Sequence, residues 1–140
     1  MTTPVPAIDG WFTTGEDPHL TGKRCASCGT VAFPPDATMC PNPACASTEL
    51  TEVPLSRRGN VWSFAVNHYA PPAPYVAADP FEPYTVVAVE LSDERMVVLG
   101  QLSQDADPSS LRIGDTVEVV IETLFSDEEH EHLVWRWRPV

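Results

Sequence analysis

All four cysteines of this chain lie close together in the sequence, and this clustering constrains the fold more than any other feature. They form two pairs, Cys25 with Cys28 and Cys40 with Cys45. Two thiolates separated by two residues can wrap one metal ion, and a second pair completes a tetrahedral site of four sulfur atoms. Gly29 suits the tight turn at the end of the first pair. The spacing therefore predicts one structural Zn²⁺ ion per chain, held by all four cysteines.

Two other uses of these cysteines remain open, a rubredoxin-like iron site and a pair of disulfides. Disulfides occur mainly in exported proteins, whereas the first six residues (MTTPVP) have neither the basic start nor the apolar core of a secretion signal. No run approaches the roughly 18 apolar residues of a membrane span. We therefore expect a cytoplasmic protein without a membrane partner, in which zinc is favoured. Catalytic zinc is not favoured, because four protein ligands leave no position for water.

The charge balance is strongly acidic, with 20 Asp and Glu residues against 8 Lys and Arg residues and a net charge of −12. Such a surface repels phosphate backbones, so we expect no nucleic-acid partner. It suits solubility or contact with a basic protein partner. The 140 residues, 43% of them hydrophobic, suffice for one core and a small metal-stabilised module.

The sequence pattern divides the chain into an N-terminal arm at residues 1–24, a metal-binding module at 25–55 and a third part at 56–140. Prolines in the arm disfavour a long helix. Trp11 and Phe12 in the arm are expected to pack back against the chain's own domain. The metal-binding module has too few apolar residues to fold without its metal.

From about residue 57 onwards, apolar and polar residues alternate with a period of two, which is typical of β-strands. Five strands are predicted, at residues 61–69, 84–91, 96–102, 116–125 and 133–138. This pattern predicts a mainly β structure, a five-stranded Greek-key barrel of the OB type. Residues 70–83, between the first two strands, contain five prolines, which predicts a stiff exposed loop of the kind that often binds other molecules.

Two details of the barrel strands are also predicted. Trp62, Phe64 and Val66 fall on one face of the first strand, which is expected to be half-buried. His68, on the same face, is expected to be a semi-buried histidine rather than an acid or base. Gly100 in the third strand is expected to mark a bulge or bend.

Several segments resemble the acyl-CoA-associated zinc-ribbon/OB-fold family, and the resemblance covers nearly the whole chain. These segments are residues 20–29 (LTGKRCASCG), 33–35 (FPP), 40–41 (CP), 59–64 (GNVWSF) and 113–117 (IGDTV). The resemblance implies an N-terminal rubredoxin-like zinc ribbon followed by a five-stranded OB-fold barrel. Members of this family are partner subunits, or fused domains, of thiolase-like enzymes and of MaoC-type enoyl-CoA hydratases.

The closing segment 134–140 (VWRWRPV) and the loop segment 69–75 (YAPPAPY) are most similar to the family version of bacterial steroid side-chain degradation. That version is fused to hydratase subunits and supports a thiolase-like retro-aldolase. The resemblance implies a non-catalytic accessory subunit of an acyl-CoA aldolase, a carbon–carbon lyase whose thiolase-like subunit holds most of the β-hydroxyacyl-CoA substrate. An accessory domain of a MaoC-type hydratase is the alternative, and a single-stranded nucleic-acid module is disfavoured by the net charge.

A subunit of a hetero-oligomer needs surfaces for its partner, and two are predicted. The first is the proline-rich loop with Tyr75 and Phe81, because stiff loops lose little entropy on binding. The second is the closing strand with Trp135, Arg136 and Arg138, because tryptophan and arginine dominate protein interfaces.

Other charged residues have two interpretations each. Arg57 and Arg58, which precede the first barrel strand, could contact a CoA phosphate, although contacts with acidic loops or carbonyl groups are favoured. His130 and His132 could chelate a metal weakly, although a solvated acidic turn is favoured. The sequence has no Ser-His-Asp spacing and no glycine-rich phosphate loop, so we expect no catalytic nucleophile in this chain.

Overall fold

The computed structural model describes residues 3–69 and 82–140 of the chain. These residues form nine β-strands and one 3₁₀ helix. The strands are β1 Thr3–Pro6, β2 Thr21–Cys25, β3 Val31–Ala32, β4 Leu50–Pro54, β5 Arg58–Asn67, β6 Tyr84–Leu91, β7 Met96–Leu102, β8 Thr116–Ser126 and β9 His130–Pro139, and the 3₁₀ helix is Pro108–Ser110. In this described part, no helix is long and apolar enough to cross a membrane.

Strands β5 to β9 close into a five-stranded barrel. β5 lies between β6 and β8, β7 lies between β6 and β9, and β8 pairs with β9 to complete the ring. The prediction of a mainly β fold with an OB-type barrel is confirmed. β5 begins at Arg58 and β9 at His130, each three residues earlier than predicted.

The N-terminal arm contributes a strand that the sequence did not predict. β1 runs parallel to β9, with Thr3 opposite His130 and Pro6 opposite Leu133. Prolines cannot donate hydrogen bonds to a strand ladder, and they are tolerated in β1 because it lies at the outer edge of the sheet. The arm is therefore attached to the last strand of the barrel.

The other three strands form the small sheet of the metal-binding module, in the order β3-β2-β4. The central strand β2 begins at Thr21, so it crosses the predicted border between the arm and the module. A Cβ atom at Gly22 would lie 2.9 Å from the Ala32 carbonyl oxygen and 2.8 Å from Leu55 Cδ2. Glycine at this position lets β2 pack closely against the backbone of Ala32 and the side chain of Leu55.

The module and the barrel share one hydrophobic core, and Trp135 of β9 lies where they meet. Three aromatic rings pack against its indole, at centroid distances of 6.1 Å for Trp11, 5.8 Å for Phe12 and 5.8 Å for Phe33. The Trp135 Nε1–H donates to the Leu99 carbonyl oxygen over 3.1 Å. The prediction that Trp11 and Phe12 pack back against the chain's own domain is confirmed.

Gly100 does not mark a bulge in the pairing of β6 with β7, so that part of the prediction is wrong. The pairing of β6 with β7 is regular on both sides of it, from Leu91 opposite Met96 to Val86 opposite Gln101. A Cβ atom at Gly100 would lie 2.7 Å from the indole nitrogens of both Trp135 and Trp137. Glycine is needed here because the two tryptophans cross directly over the strand.

The second half of β5 is exposed rather than half-buried, which corrects the sequence prediction. The exposed fractions are 60% for Trp62, 36% for Phe64 and 46% for Val66, and His68 is exposed as well. β8 begins at Thr116, opposite Asn60, so β5 continues past its last pairing with β8. Period-two alternation shows that side chains point to opposite faces, but it does not show what covers each face.

We expect Gly100→Ala to lower the free energy of unfolding by about 1–3 kcal/mol, because the added methyl group forces the two tryptophan rings apart. Urea unfolding followed by tryptophan fluorescence measures this. Gly15→Ala is the control, since a Cβ atom there meets no atom within 4 Å, and it should be neutral or slightly stabilising. Equal unfolding midpoints for the two variants would contradict the packing argument.

Candidate metal centre

The first pair of cysteines is held by a tight turn at the end of β2. The Gly29 N–H donates to the Cys25 carbonyl oxygen over 2.9 Å, and the Cys25 N–H donates to the Thr30 carbonyl oxygen over 2.9 Å. Gly29 has a φ of 78°, in the left-handed region that glycine enters without steric cost. The turn therefore places Cys28 beside Cys25.

The second pair is held by a wider turn. The Cys40 N–H donates to the Ser47 carbonyl oxygen over 2.7 Å, and the Cys45 N–H donates to the Asn42 carbonyl oxygen over 3.0 Å. Ala46, which follows the pair, has a φ of 54°. Here an alanine adopts the left-handed conformation that glycine adopts after the first pair, although this conformation is less favourable for alanine.

All four sulfur atoms lie within 4.8 Å of one another. The Cys25 and Cys45 sulfurs are 3.8 Å apart, and the Cys28 and Cys40 sulfurs are 3.5 Å apart. Zinc–sulfur bonds of about 2.3 Å in a tetrahedron place the sulfurs about 3.8 Å from one another. The four side chains therefore fit one tetrahedral metal ion, with no position left for water.

The surroundings of the thiols affect their protonation in opposite directions. The hydroxyl group of Thr30, 3.1 Å from Cys28 Sγ, lowers the pKa of Cys28 to about 6. Burial raises the pKa of Cys40 to about 12. A metal binds only thiolates, so binding displaces the Cys40 proton, and affinity falls as the solution becomes more acidic.

Comparison with known families covers both modules of the chain. Residues 15–51 match the rubredoxin-like zinc ribbon domain of ChsH2. Residues 52–122 match the C-terminal OB-fold domain of ChsH2. The chain belongs to the ChsH2 zinc-ribbon and OB-fold family. The predicted family resemblance is confirmed, and the four cysteines are the metal site of the ribbon.

Three relatives of this ChsH2-family chain carry informative names. Benzoylsuccinyl-CoA thiolase subunit BbsA of Thauera aromatica is 32% identical over 86% of this chain and 75% of the relative. A probable enoyl-CoA hydratase alpha subunit of Thermomonospora curvata is 34% identical over 90% of this chain but only 37% of the relative. A solved chain of an "Ltp2-ChsH2(DUF35) aldolase" matches with a TM-score of 0.63 and 30% identity, covering 86% of this chain and 84% of that chain.

The closing strand β9, predicted to bind a partner, is buried at Trp135, Arg136 and Trp137. Trp135 is 8% exposed and belongs to the core, and Arg136 is 3% exposed. Arg138 is exposed and pairs with Glu118 over 2.7 Å. The partner-surface prediction is therefore corrected for Trp135 and Arg136, since their side chains contact the chain itself. For Arg138 it stays a prediction.

Arg136 is buried because it is paired with a carboxylate that the sequence did not single out. Arg136 Nη1 donates to Glu122 over 3.1 Å. Glu122 also accepts from the Ser103 hydroxyl and from the Gln104 backbone N–H. Burial by itself raises the pKa of Glu122, but these three hydrogen bonds outweigh it and hold the pKa below its ordinary value.

A signal for this pair was present in the sequence. Glu118 and Glu122 alternate with the apolar residues of β8, as Arg136 and Arg138 do in β9. The antiparallel pairing of the two strands sets Glu118 opposite Arg138 and brings Glu122 beside Arg136. Aligning the two predicted strands as a hairpin would have matched these charges.

The remaining predicted site residues also have contacts within the chain. Arg57 donates to the Pro18 carbonyl oxygen over 3.0 Å, and Arg58 donates to Glu118 over 3.3 Å. These are the acidic and carbonyl contacts that the sequence favoured over a CoA phosphate, and the CoA contact stays a prediction. Tyr75 and Phe81 lie outside the described residues.

The histidines near the β8–β9 turn form a structural contact. His132 Nε2 lies 2.8 Å from Asp127, which lowers the pKa of Asp127 to about 2, and the His132 ring stacks on Phe125. Among the described residues, the group of side chains placed to bind a metal ion consists of the four cysteines and includes neither histidine. The interpretation of His130 and His132 as part of an acidic turn fits these contacts.

We expect the purified protein to contain one zinc ion per chain, measured by mass spectrometry of the metal. Cys28→Ala should lose zinc and several kcal/mol of stability, because metal binding supplies the folding energy of so small a module. Ser27→Ala, between the same two cysteines, is the control and should keep its zinc. Sub-stoichiometric zinc in chelator-free protein with free thiols and an intact fold would contradict the prediction.

We expect Glu122→Gln to lower the free energy of unfolding at pH 7 by about 2 kcal/mol, because it leaves the buried Arg136 cation without its anion. Since the folded-state pKa of Glu122 is depressed, its contribution is complete above its unfolded pKa and is lost as the pH falls through the folded pKa. Urea unfolding at several pH values should thus show that the wild type and Glu122→Gln differ less in free energy of unfolding as the pH falls. Glu118→Gln is the control and should cost less than about 1 kcal/mol, because its arginine partners are exposed. Equal losses of unfolding free energy for Glu122→Gln and Glu118→Gln would contradict a special contribution of the buried pair.

Proposed function

We propose that this chain is a non-catalytic accessory subunit of a thiolase-like acyl-CoA enzyme. The observation that carries the proposal is the similarity, over most of both chains, to a protein named as a subunit of benzoylsuccinyl-CoA thiolase. The geometry of the metal site agrees with it, because all four cysteines face one another and a thiolase-type nucleophile would need a cysteine free of metal. The thiolase-like subunit then supplies the catalytic groups and most of the acyl-CoA site.

We further propose that the complex catalyses the retro-aldol cleavage of a β-hydroxyacyl-CoA with a bulky, steroid-like acyl group. In this reaction a base removes the proton of the β-hydroxyl group, the bond between Cα and Cβ breaks, Cβ becomes a carbonyl and Cα is protonated. The aldolase named in the solved relative supports this assignment. In this chain, Arg57 and Arg58 are the proposed contacts for the CoA phosphates.

A second candidate function is an accessory domain of a MaoC-type enoyl-CoA hydratase. The hydratase subunit from Thermomonospora curvata favours it, and this chain matches 37% of that relative's length. Single-stranded nucleic-acid binding is disfavoured, because a net charge of −12 opposes the phosphate contacts that such binding needs. Co-expression with each class of subunit distinguishes the two enzyme candidates.

We expect the lone chain to show no CoA-ester cleavage and its complex with a thiolase-like subunit of the same organism to be active. Tyr75→Ala, Phe81→Ala and Arg138→Ala should each lower complex formation and turnover together, because loss of an anchoring side chain weakens an interface. Zinc content and melting temperature should stay nearly unchanged, because the ion pair of Arg138 with Glu118 is exposed on the arginine side. Size-exclusion chromatography and a CoA-ester cleavage assay measure these effects.

The control is Arg95→Ala, in the exposed turn between β6 and β7, which should leave binding unchanged. Wild-type affinity in all three test variants would overturn the proposed contact residues. Turnover by the lone chain would overturn the accessory role itself.

A further inference from the structure

The projecting half of β5 exposes a group of apolar side chains. Trp62, Phe64 and Val66 follow one another along the strand, and Trp62 lies where the pairing of β5 with β6 is interrupted by a bulge between Val61 and Ser63. This segment, residues 62–67, is called the β5 extension below. Isolated exposed apolar residues are ordinary, but three of them along the same strand edge make this edge a candidate interaction surface.

Among the described residues, no strand pairs with one backbone edge of the β5 extension. On one side it pairs with β6, from Ser63 opposite Ala88 to Asn67 opposite Tyr84. On the other side the contacts with neighbouring elements stop at Val61, whose N–H and carbonyl bond to the segment just before β8. Across residues 3–69 and 82–140, the outward N–H and carbonyl groups of the β5 extension meet no further strand.

Among the described residues, this edge lacks the charged side chains and prolines that normally keep strand edges apart. Proteins protect such edges with charged residues, with proline or by keeping the strand short. The β5 extension contains no charge and no proline, although 28 of the 140 residues of the chain are charged. The charge-free run continues from residue 59 to residue 78, which includes the proposed partner contact Tyr75.

The apolar surface continues beyond the strand. The Gly114 N–H donates to the Val61 carbonyl oxygen over 2.8 Å, which places the neighbouring Ile113, 71% exposed, at the start of the open edge. Together with Trp62, Phe64 and Val66, it exposes on the order of 400 Å², about half of what one partner contributes to a standard interface. This patch is large enough to be the centre of an interface but too small to be the whole of one.

The area and the charge argue against a second copy of this chain as the occupant. Two copies meeting through this patch would bury roughly 800 Å² in total, below the ~1,200 Å² at which stable interfaces begin. Each copy also carries a net charge of −12, so the two would repel. A different protein need not carry this acidic charge, so it can extend the contact beyond the patch without the same repulsion.

We propose that the thiolase-like subunit docks on the β5 extension by adding an extended segment to its open edge. The backbone of that segment pairs with residues 62–67, and apolar side chains from it pack on Trp62, Phe64 and Ile113. This inference rests on the proposed function and specifies the surface through which the accessory subunit binds. The uncharged edge serves this docking because neither partner has to desolvate a charge there.

The test uses the full chain and a thiolase-like subunit of the same organism that binds it. Trp62→Lys and Phe64→Lys place a charge in the docking surface and should each weaken binding about tenfold or more. Ile8→Lys is the matched control, because Ile8 is 37% exposed against 36% for Phe64 and follows β1, which is not adjacent to β5. It should change affinity by less than about twofold. Zinc content and melting temperature confirm that each variant folds.

Hydrogen exchange tests the strand addition itself. In the lone chain, about half of the amides at residues 62–67 point outward and should exchange rapidly, whereas in the complex they should become protected. Amides that remain fast in the complex would overturn the proposal. Wild-type affinity in both lysine variants would overturn it while leaving the accessory function intact.

Two further outcomes separate the remaining alternatives. A lone chain that forms dimers at micromolar concentration, with residues 62–67 protected and Trp62→Lys restoring the monomer, would assign the edge to a second copy and overturn the proposal. If no thiolase-like subunit of the organism binds the wild-type chain, the proposed function fails and this inference fails with it.

Discussion

The packing of three aromatic rings against Trp135 is the interaction on which the rest of the structure depends. Trp11 and Phe12 come from the N-terminal arm, and Phe33 comes from the metal-binding module. Each side chain packs against a tryptophan of the last barrel strand, so three distant parts of the sequence share one buried cluster. Without it, the ribbon and the barrel would be two small domains that each lack a sufficient core.

This shared core couples the metal to the barrel. Phe33 lies on the chain between the two cysteine pairs, so the turns that bind the metal also fix the position of its ring. Loss of the metal would release Phe33 and expose one side of Trp135. The ion therefore stabilises more than the loop that binds it, which explains why a structural metal can matter in a protein whose proposed role is to present a surface.

The five barrel strands and the metal ligands could be predicted from the sequence, because both depend on local spacing. β6 and β7 have the predicted bounds, since each is a short apolar run next to turn-forming residues. Burial could not be predicted in the same way. Trp62 is exposed and Arg136 is buried because of what lies beside them, namely the late start of β8 and the carboxylate of Glu122. Gly100 also shows this limit, because the two indoles that require glycine come from a strand distant in sequence.

The parallel pairing of β1 with β9 has a consequence for folding during synthesis. β1 pairs only with β9, so Thr3 can pair only after His130 has been synthesised. At 5–20 residues per second, that interval is on the order of ten seconds. The ribbon, whose contacts are local, can take up its metal during this time, while Phe12 and Phe33 stay uncovered until Trp135 leaves the ribosome. Until then, these uncovered aromatic rings form an apolar surface that is prone to aggregation.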